Sequence, residues 1–447
     1  MPIWDEQFHV TSAQKYLNGI FFMQDHPPLG KLLIALGEMV VDANGPAEDS
    51  YYIDNVSIKQ SEGNLSMAGY RLFTAMGGFL IAPLLYIIFL KITRNAEFSF
   101  VLSLPAIFDT ALTLDLPLAV LEGPLVLFAV ISILAFLMVF ENSKNGNTGF
   151  IWPFILGASI SAASMVKLTG SFLLLLAGAI FIFLLKDKKN LLKFTFSVIA
   201  GFAIVAIGVW SIHFTLNKNI ETSLPNQGLY GASETYRSYI GGNKTLISAF
   251  PKAIADSYKY MLLHQNRVLK SKKSLGSYGS MWYTWPLGGK SIHFLRNEIK
   301  PDKIISITLQ ANPAVWWTSS LFILIAICML FSSYFGKLIL KNRFLLGTMV
   351  FLYASYMFAI SQIDRVMYLH HYLPPLVISF IITGIAADEI RIQAVSKYSK
   401  LFFQTAVYAL AIAIVLGYSY YSPLTSLTPL STEQVERKEL LGFWELI

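Results

Sequence analysis

The sequence predicts an all-α membrane protein built as a multi-pass helical bundle, and three observations support this prediction. Apolar residues make up 55% of the 447-residue chain. Charged residues make up only 14%, and the mean hydropathy is +0.55. A soluble domain carries roughly 25% charged residues, so this composition excludes an ordinary soluble protein.

Apolar stretches long enough to cross a hydrocarbon core recur along the chain. Two neighbouring pairs, within 98–140 and 151–185, would be over-counted if one member only dips into the membrane. We predict about ten spans, at 67–91, 98–115, 118–140, 151–166, 168–185, 192–214, 314–335, 344–361, 370–388 and 402–422.

The basic residues predict the orientation of these spans. If residues 1–66 lie outside and each span crosses once, every inside loop is basic, as the positive-inside rule requires. The net charge of +7 is therefore assigned to topology and not to nucleic-acid binding. The inside loops carry Lys91, Arg94, Lys144, Lys186, Lys188, Lys189, Lys193, Lys337, Lys341, Arg343, Arg391, Lys397 and Lys400.

This orientation divides the chain into five parts. The predicted order is a first extracytoplasmic loop (1–66), transmembrane helices (67–214), an extracytoplasmic loop with short helices (215–313), further transmembrane helices (314–422) and an extracytoplasmic tail (423–447). No secretory signal peptide is visible near Met1. We therefore expect a first helix upstream of Met1; the alternative is a short form that inserts through its second apolar segment.

Charged and histidine residues from distant parts of the chain converge on the predicted outer face. Charges near hydrocarbon are costly, so their convergence on one side predicts a site. The single cysteine, Cys328, lies in an apolar span and excludes an intramolecular disulfide. The converging residues are Asp5, Glu6, His26, Lys31, Asp115, Lys167, Arg365, His370 and His371.

The segment from Asp25 to Lys31 reads Asp-His-Pro-Pro-Leu-Gly-Lys and precedes an apolar helix. We expect Asp25 or His26 to cap this helix, and prolines suit its first turn. Free amides and the positive end of the helix dipole, with Lys31 one turn in, would suit a phosphate group. The alternative is a rigid elbow at the membrane interface.

Asp5 and Glu6 form an acidic pair close to aromatic and apolar residues. A carboxylate held there could act as general base toward a hydroxyl acceptor. An exposed acidic pair is more often simply solvated. Glu6 and His9 could also share a metal, but a second pair of this kind is missing from the sequence.

The segment from Asp364 to Pro375 enters a span from its outer end. Arg365 can grip a phosphate through two hydrogen bonds, and His370 or His371 can donate to the same group. Interfacial anchoring by Arg, His and Tyr is the alternative interpretation.

Aromatic residues crowd the predicted outer loop around Trp282 and Trp285, and Asn312 opens the next span. These positions are typical of an interfacial aromatic belt. They could also line a groove for a sugar or an acceptor chain.

Two motifs that the sequence lacks argue against two classes of protein, ATP-driven pumps and nucleotide-sugar transferases. Gly289-Lys290-Ser291 imitates the end of a P-loop, but Thr284 stands where its first glycine belongs, so an ATP-driven pump is unsupported. The sequence also contains no Asp-x-Asp pair. A sugar activated on a lipid carrier therefore fits better than a nucleotide sugar held through a metal.

These residues resemble the protein O-mannosyltransferase family, whose members use polyprenyl- or dolichyl-phosphate-mannose and have the C-type glycosyltransferase architecture. A prokaryotic type is the nearer likeness, because the outer loop is too short for the β-trefoil insert of eukaryotic members. The segments that carry the resemblance are Asp5-Glu6, Phe21-Phe22, His26 to Lys31, Lys167 to Gly170, Trp285 to Leu287, Asn312 to Trp317 and Arg365 to Pro374.

The resemblance implies eleven spans and an acidic residue, here Asp5, that activates the acceptor hydroxyl. It also implies transfer of a hexose, here predicted to be mannose, from a polyprenyl-phosphate donor to a protein or glycan hydroxyl. The predicted orientation places this reaction at the extracytoplasmic face of the membrane, which we predict to be the plasma membrane. The family usually has an arginine and an aspartate where this chain has Pro117 and Glu122, and this departure bears on donor identity and activity.

We therefore predict Asp5 and Glu6 as catalytic residues and a lipid-sugar phosphate site formed by His26, Lys31, Arg365, His370 and His371. A divalent cation, Mg²⁺ or Mn²⁺, and a dimer are left open. The alternatives are a transferase acting on a glycolipid, lipid A or a cell-wall polymer, and a transporter that binds a lipid-linked sugar without reacting.

Overall fold

The computed structural model describes residues 2–44, 65–220, 229–240, 249–265, 279–300, 302–363, 366–394 and 396–446. These residues form a helical bundle with one small antiparallel sheet. The helices are α1 (Glu6–Leu17), α2 (Leu29–Val41), α3 (Ala68–Thr93), α4 (Ala96–Ser103), α5 (Thr110–Asp115), α6 (Glu122–Lys144), α7 (Ile151–Val166), α8 (Leu174–Leu184), α9 (Lys188–Leu216), α10 (Glu234–Ile240), α11 (Ala249–Gln265), α12 (Pro313–Tyr334), α13 (Arg343–Ser361), α14 (Leu373–Gln393), α15 (Lys397–Tyr421) and α16 (Thr432–Glu436).

Seven helices in the described ranges are long and apolar enough to cross a membrane, and three shorter apolar helices accompany them. Each of the ten predicted stretches overlaps one of these ten helices, and the prediction of a multi-pass helical bundle is confirmed. The long candidates are Ala68–Thr93, Glu122–Lys144, Lys188–Leu216, Pro313–Tyr334, Arg343–Ser361, Leu369–Gln393 and Lys397–Leu424.

The predicted span 98–115 is broken into shorter helices. A 3-10 turn at Leu104–Ala106 with a proline in its first turn follows α4. Asp109 then starts α5 as an extended N-cap whose side chain accepts from the Leu112 amide. Proline lacks a backbone N–H and a new N-cap restarts the helix, so this stretch does not continue as one rod.

Helix α14 lies at the centre of the bundle, where it packs against α3, α6, α12 and α13. Nearly every residue of α14 in the described chain is buried. On the other side of α6, α7 packs against both α6 and α9. A Cβ atom at Gly157 of α7 would lie 2.0 Å from the Val198 carbonyl oxygen of α9, so glycine is required for this close crossing.

The small sheet was not predicted from the sequence. Strand β1 (Ile292–Lys300) pairs antiparallel with β2 (Lys303–Leu309), and β2 pairs with the short strand β3 (Leu430–Ser431). The register runs from Ile292 opposite Leu309 to Glu298 opposite Ile304, with an irregularity at Phe294. The sheet joins the segment before α12 to the tail after α15.

Candidate active site

The side chain of Glu6 is fully buried at the start of α1. Its two carboxylate oxygens accept from the Arg71 guanidinium, each at 2.6 Å. They also accept from the backbone amides of Ile3 at 2.9 Å and Ala119 at 2.8 Å. The bidentate ion pair with Arg71 ties α1 to α3, and the hydrogen bond from the Ala119 amide ties α1 to the loop before α6.

Asp5 is the N-cap residue of α1 and is partly exposed. The preceding Trp4 has a positive φ of 52°, a conformation that is uncommon for a bulky residue. Its ring stacks on Phe294 at 5.3 Å and meets the Tyr368 ring edge-on at 5.7 Å, both between centroids. These contacts bring Asp5 beside the segment that carries His370.

The two histidines lie on a 3-10 turn, Leu369–Tyr372, that leads into α14. Their rings stack with centroids 4.3 Å apart. The Tyr368 ring stacks on both, at 5.8 Å from His370 and 6.2 Å from His371. The stacked rings of Tyr368, His370 and His371, the histidine block, therefore stand at the N-terminal end of the central helix.

The start of α2 places Lys31 close to the same region. The expected cap is wrong: α2 begins after Pro28, and no side chain caps it. Asp25 instead accepts from the Lys31 ammonium at 3.1 Å, because the bend at Asp25 and His26 turns this carboxylate toward the side chain in the first turn. A Cβ at Gly30 would lie 2.5 Å from the Leu121 side chain and 3.3 Å from that of Val166, so glycine lets α2 reach the base of the site.

A buried ion pair forms the floor of the site. Lys167 donates to the Glu122 carboxylate, and the His370 imidazole lies 3.9 Å from the same oxygen. Asp115 is buried nearby, and its Oδ2 accepts no hydrogen bond from the described residues. The Asp115 carboxylate is in electrostatic range of Glu122, Lys167, Asp5 and Glu6.

His9 is in electrostatic range of both ion pairs of the cluster, Lys31 with Asp25 and Lys167 with Glu122. Burial lowers the pKa of the His9 imidazole well below its usual value, and the positive charges of Lys31 and His26 lower it further. Partial burial alone would raise the pKa of Asp25, but the charges of Lys31 and His26 and the hydrogen bond from Lys31 hold it well below its usual range. The cluster therefore holds a neutral imidazole beside a charged carboxylate and ammonium.

The predicted groove residues occupy different surroundings. Trp282 is 38% exposed, whereas Trp285 is fully buried, stacks on His371 at 6.3 Å and donates to the Ser280 hydroxyl at 2.8 Å. Asn312 is also fully buried. Its side-chain amide donates to the carbonyls of α15 at Ile414 and of Phe108, and its oxygen caps α12.

The structure thus brings Asp5, Glu6, His26, Lys31, His370 and His371 together, places Trp285 behind His371, and places Asn312 in packing between helices. Arg365 and its neighbour Asp364 lie outside the described residues. The alternative of a metal shared by Glu6 and His9, already disfavoured by the sequence, finds no support, since both Glu6 oxygens accept hydrogen bonds from Arg71 and from backbone amides. Among the described residues no group of three or more metal-binding side chains converges.

Three pairings were missed in the sequence: Arg71 with Glu6, Asp25 with Lys31, and Lys167 with Glu122. A charge in an apolar helix needs a counter-charge. Arg71 and Glu122 each stand at the outer end of a predicted span. That signal could have identified them as members of the site, although it does not name their partners.

The helical bundle, with a polar site near the N-terminal ends of α1, α2 and α14, defines a multi-pass membrane protein of the C-type glycosyltransferase fold. The structure is similar to a chain in the S. cerevisiae protein O-mannosyltransferase Pmt1-Pmt2 complex bound to the sugar donor. The match covers 99% of this chain and 89% of that chain, with a TM-score of 0.82 and 16% identity. It also matches ArnT from Cupriavidus metallidurans bound to undecaprenyl phosphate, with a TM-score of 0.52, 11% identity and coverage of 96% of this chain and 74% of the other.

Two family models give the particular family. The model described as dolichyl-phosphate-mannose-protein mannosyltransferase matches residues 2–218, and the model of the C-terminal four-TMM region of protein O-mannosyltransferase matches residues 250–444. The chain therefore belongs to the protein O-mannosyltransferase family, as its motifs predicted.

Curated relatives agree with this assignment. Protein O-mannosyl-transferase 2 of Danio rerio is 25% identical over 301 residues, which is 64% of this chain and 37% of the relative. Protein O-mannosyl-transferase 2 of Drosophila melanogaster is 30% identical over 180 residues, which is 39% of this chain and 23% of the relative. The match thus spans little more than a third of these relatives at most.

Proposed function

We propose that the protein is a membrane glycosyltransferase that moves a hexose, mannose, from a polyprenyl-phosphate carrier to the hydroxyl group of a Ser or Thr residue. One observation carries the proposal. Asp5, Lys31 and His370, which are far apart in sequence, belong to one cluster of charged and histidine side chains near the N-terminal ends of α1, α2 and α14. The family membership supports the same reaction.

Asp5 is the proposed general base. Its carboxylate takes the proton of the acceptor hydroxyl while the acceptor oxygen attacks the anomeric carbon and the bond from that carbon to the phosphate oxygen breaks. A single displacement of this kind inverts the anomeric configuration. Trp4 fixes Asp5 against Tyr368, so the base is held beside the histidine block.

The cations of the cluster stabilise the leaving phosphate. Negative charge develops on that group in the transition state, and fixed positive charges in a site shielded from water lower its energy. Lys31 and the His370–His371 pair are the proposed donors among the described residues, with His26 near the donor head group. Arg365 remains a predicted member of this set.

Glu6 acts by orienting the base. Its carboxylate already makes four hydrogen bonds, and these hold the first turn of α1, on which Asp5 sits. Trp282, which is 38% exposed on the same 3-10 turn as Trp285, is the residue proposed to contact the acceptor.

The setting of the reaction completes the proposal. The site faces the extracytoplasmic side of the cell membrane, the acceptor is a protein, and the enzyme works as a dimer like the yeast complex. Light scattering of the purified protein tests the dimer. Assays after EDTA treatment, with Mg²⁺ or Mn²⁺ added back, test whether transfer requires a divalent cation.

The decisive experiment compares Asp5→Asn with wild type, using radiolabelled polyprenyl-phosphate-mannose and a Ser/Thr-rich peptide. Loss of a general base typically slows a reaction on the order of 100- to 10,000-fold, so turnover should nearly vanish. Asp42→Asn is the matched control, because Asp42 is exposed at the end of α2 in a left-handed conformation that asparagine accepts.

Each other outcome has a defined meaning. Wild-type turnover by Asp5→Asn would remove Asp5 from the mechanism. Label on a glycolipid in place of the peptide would favour the lipid-modifying alternative. Label that stays on the carrier under all conditions would favour a transporter.

A further inference from the structure

A groove in the membrane region separates α15 from the rest of the bundle. It has a volume of about 590 Å³ and lies between α4, α12, α14 and α15. Sites for small molecules typically measure roughly 300–1,000 Å³. The wall is almost entirely apolar and includes Phe98, Leu102, Phe322, Phe380 and Phe402.

Helix α15 has few contacts with the bundle across this groove. Among its described residues only Ile414 and Tyr421 are buried. Helices in hydrocarbon associate through close packing, because lipid tails are as apolar as the side chains. A groove left empty would lose dispersion contacts on both walls, so a lipid chain between α15 and the bundle restores contacts that the protein does not make itself.

The apolar groove continues into a polar mouth at one end. Phe98, Val101 and Ala394 line both parts, and the mouth adds Arg391 and Lys400. Arg391, in the last turn of α14, and Lys400, in the first turn of α15, flank a connection that is predicted to face the cytoplasm. Basic pockets between transmembrane helices on that side are typical binding places for phosphate-bearing lipid head groups.

Arg391 is held in position for such a group. Its Nε and Nη2 atoms donate to the Asp388 carboxylate at 2.9 and 2.6 Å, and Nη2 donates to the Thr93 carbonyl at 2.9 Å. Its guanidinium carbon lies 5.8 Å from the centre of the Phe98 ring. In the described part of the chain no hydrogen bond uses Nη1, so one donor edge of a fixed guanidinium remains for a ligand.

The other charges of the mouth are consistent with a phosphate. Lys400 is exposed at the start of α15. Glu97 is the acidic residue of the mouth, and its carboxylate accepts a hydrogen bond from the Tyr408 hydroxyl. The Asp388 charge is matched by Arg391. The mouth therefore offers Lys400 and one edge of Arg391 to an anion.

We propose that this groove is a binding site for a glycerophospholipid. One acyl chain lies between α15 and the bundle, and the phosphodiester contacts Arg391 and Lys400. This site is separate from the outer cluster that contains Asp5, and it does not depend on the proposed reaction.

Native mass spectrometry of the purified chain, titrated with phosphatidylglycerol, tests the site. Ala406→Phe fills the groove, whereas Ala409→Phe places the same ring on the exposed face of α15, since Ala406 lines the groove and Ala409 does not. Ala406→Phe should abolish the bound lipid, and Ala409→Phe should leave it unchanged. Size-exclusion profiles confirm that both variants fold.

The head-group contact has its own matched pair. Lys400→Gln should weaken binding about five-fold, since one basic residue contributes on the order of a kcal/mol to attraction of a lipid phosphate. Lys397→Gln, at an exposed position outside the groove, should change binding little. Diacylglycerol with the same acyl chains, which lacks the phosphate, should bind more weakly than phosphatidylglycerol.

Three results would overturn the proposal. The first is equal lipid binding by the two alanine variants. The second is equal binding of diacylglycerol and phosphatidylglycerol. The third is occupation of the groove by something else. Displacement of the phospholipid by polyprenyl phosphate would assign the groove to the donor, and a second copy of the chain in its place would assign it to a dimer contact.

Discussion

Two transmembrane helices of similar apolarity, α14 and α15, have opposite positions in the molecule. The mean hydropathy of the most apolar window is 1.6 for the α14 span and 1.9 for the α15 span, yet 89% of the first window is buried and only 6% of the second. In a membrane, apolar character therefore does not decide which helix lies inside. Packing and polar contacts decide it.

The polar contacts are at the two ends of α14. At its C-terminal end the Glu389 carboxylate accepts from the amides of Lys341 and Asn342 at 3.1 and 2.7 Å. At its N-terminal end is the histidine block, whose His370 ring stacks on Tyr368 and whose His371 ring stacks on Trp285. Helix α14 is thus a fixed frame for the site, whereas α15 borders a groove.

The largest expected effect concerns the contact that ties α1 to the frame. Glu6→Ala leaves Arg71 without its partner, and breaking a buried charge pair typically costs about 3–5 kcal/mol. We expect the low end of that range, since the Arg71 side chain is 32% exposed. Thermal unfolding in detergent measures the loss, and transfer activity should fall with it because Asp5 shares the same turn.

Glu433→Ala is the control for this prediction. It breaks the pair with Arg437 on α16, in which both side chains are about 70% exposed, and such pairs contribute roughly 0.3–0.5 kcal/mol. Equal destabilisation by the two variants would show that Glu6 does not hold the frame.

The Glu6 contact also shows what sequence reasoning could and could not reach. Asp5, Lys31 and His370 were predicted as one site because charges near a membrane are conspicuous and must be accommodated together. The ten apolar stretches were predicted from length and composition alone. Arg71 was missed as the partner of Glu6 because pairing depends on how helices pack, and an apolar helix shows no periodicity that reveals its inner face.

The sheet was missed for a related reason. Phe294 stands at an irregularity of β1, which interrupts the alternation that marks a strand. Strand β3, which pairs with β2, is only two residues long and lies beyond α15. The cap of α2 was predicted wrongly because Asp25 has a stronger partner in Lys31 than in a free backbone amide.

The next expected effect concerns the phosphate contact. Lys31→Met removes a buried ammonium while keeping the length of the side chain, and loss of one transition-state donor typically costs about 100- to 1,000-fold in turnover. The fall should appear in kcat with the lipid-linked donor. Lys218→Met, at an exposed position, should retain wild-type turnover, and an unaffected kcat in Lys31→Met would exclude this lysine from the leaving-group site.

A smaller effect is expected from the same substitution made in α14 and in α15. Ile382 of α14 is fully buried, whereas Ile412 of α15 is 60% exposed. Ile382→Ala leaves a cavity and should cost about 2 kcal/mol, the low end of the range for buried side chains, because transfer to lipid adds little. Ile412→Ala should stay within about 0.5 kcal/mol of wild type. Similar shifts in unfolding temperature for both would contradict the distinction between frame and periphery.

The smallest expected effect is a pH dependence that arises from His9. Its pKa is lowered in the folded protein, so the folded state keeps it neutral while the unfolded chain takes up a proton below about pH 6.5. Stability is therefore complete above that pH and falls as the pH is lowered, with a slope of at most about 1.4 kcal/mol per pH unit for one proton. Lys31, His26, Asp25 and Lys167 are the charged or titratable groups that act on His9.

Unfolding temperatures between pH 8 and pH 5 measure this slope. His9→Gln removes the titrating group, so the variant should lose part of the slope, while Asp25, whose pKa is already low, does not titrate in this interval. An unchanged slope in His9→Gln would mean that His26 or another group accounts for the pH dependence.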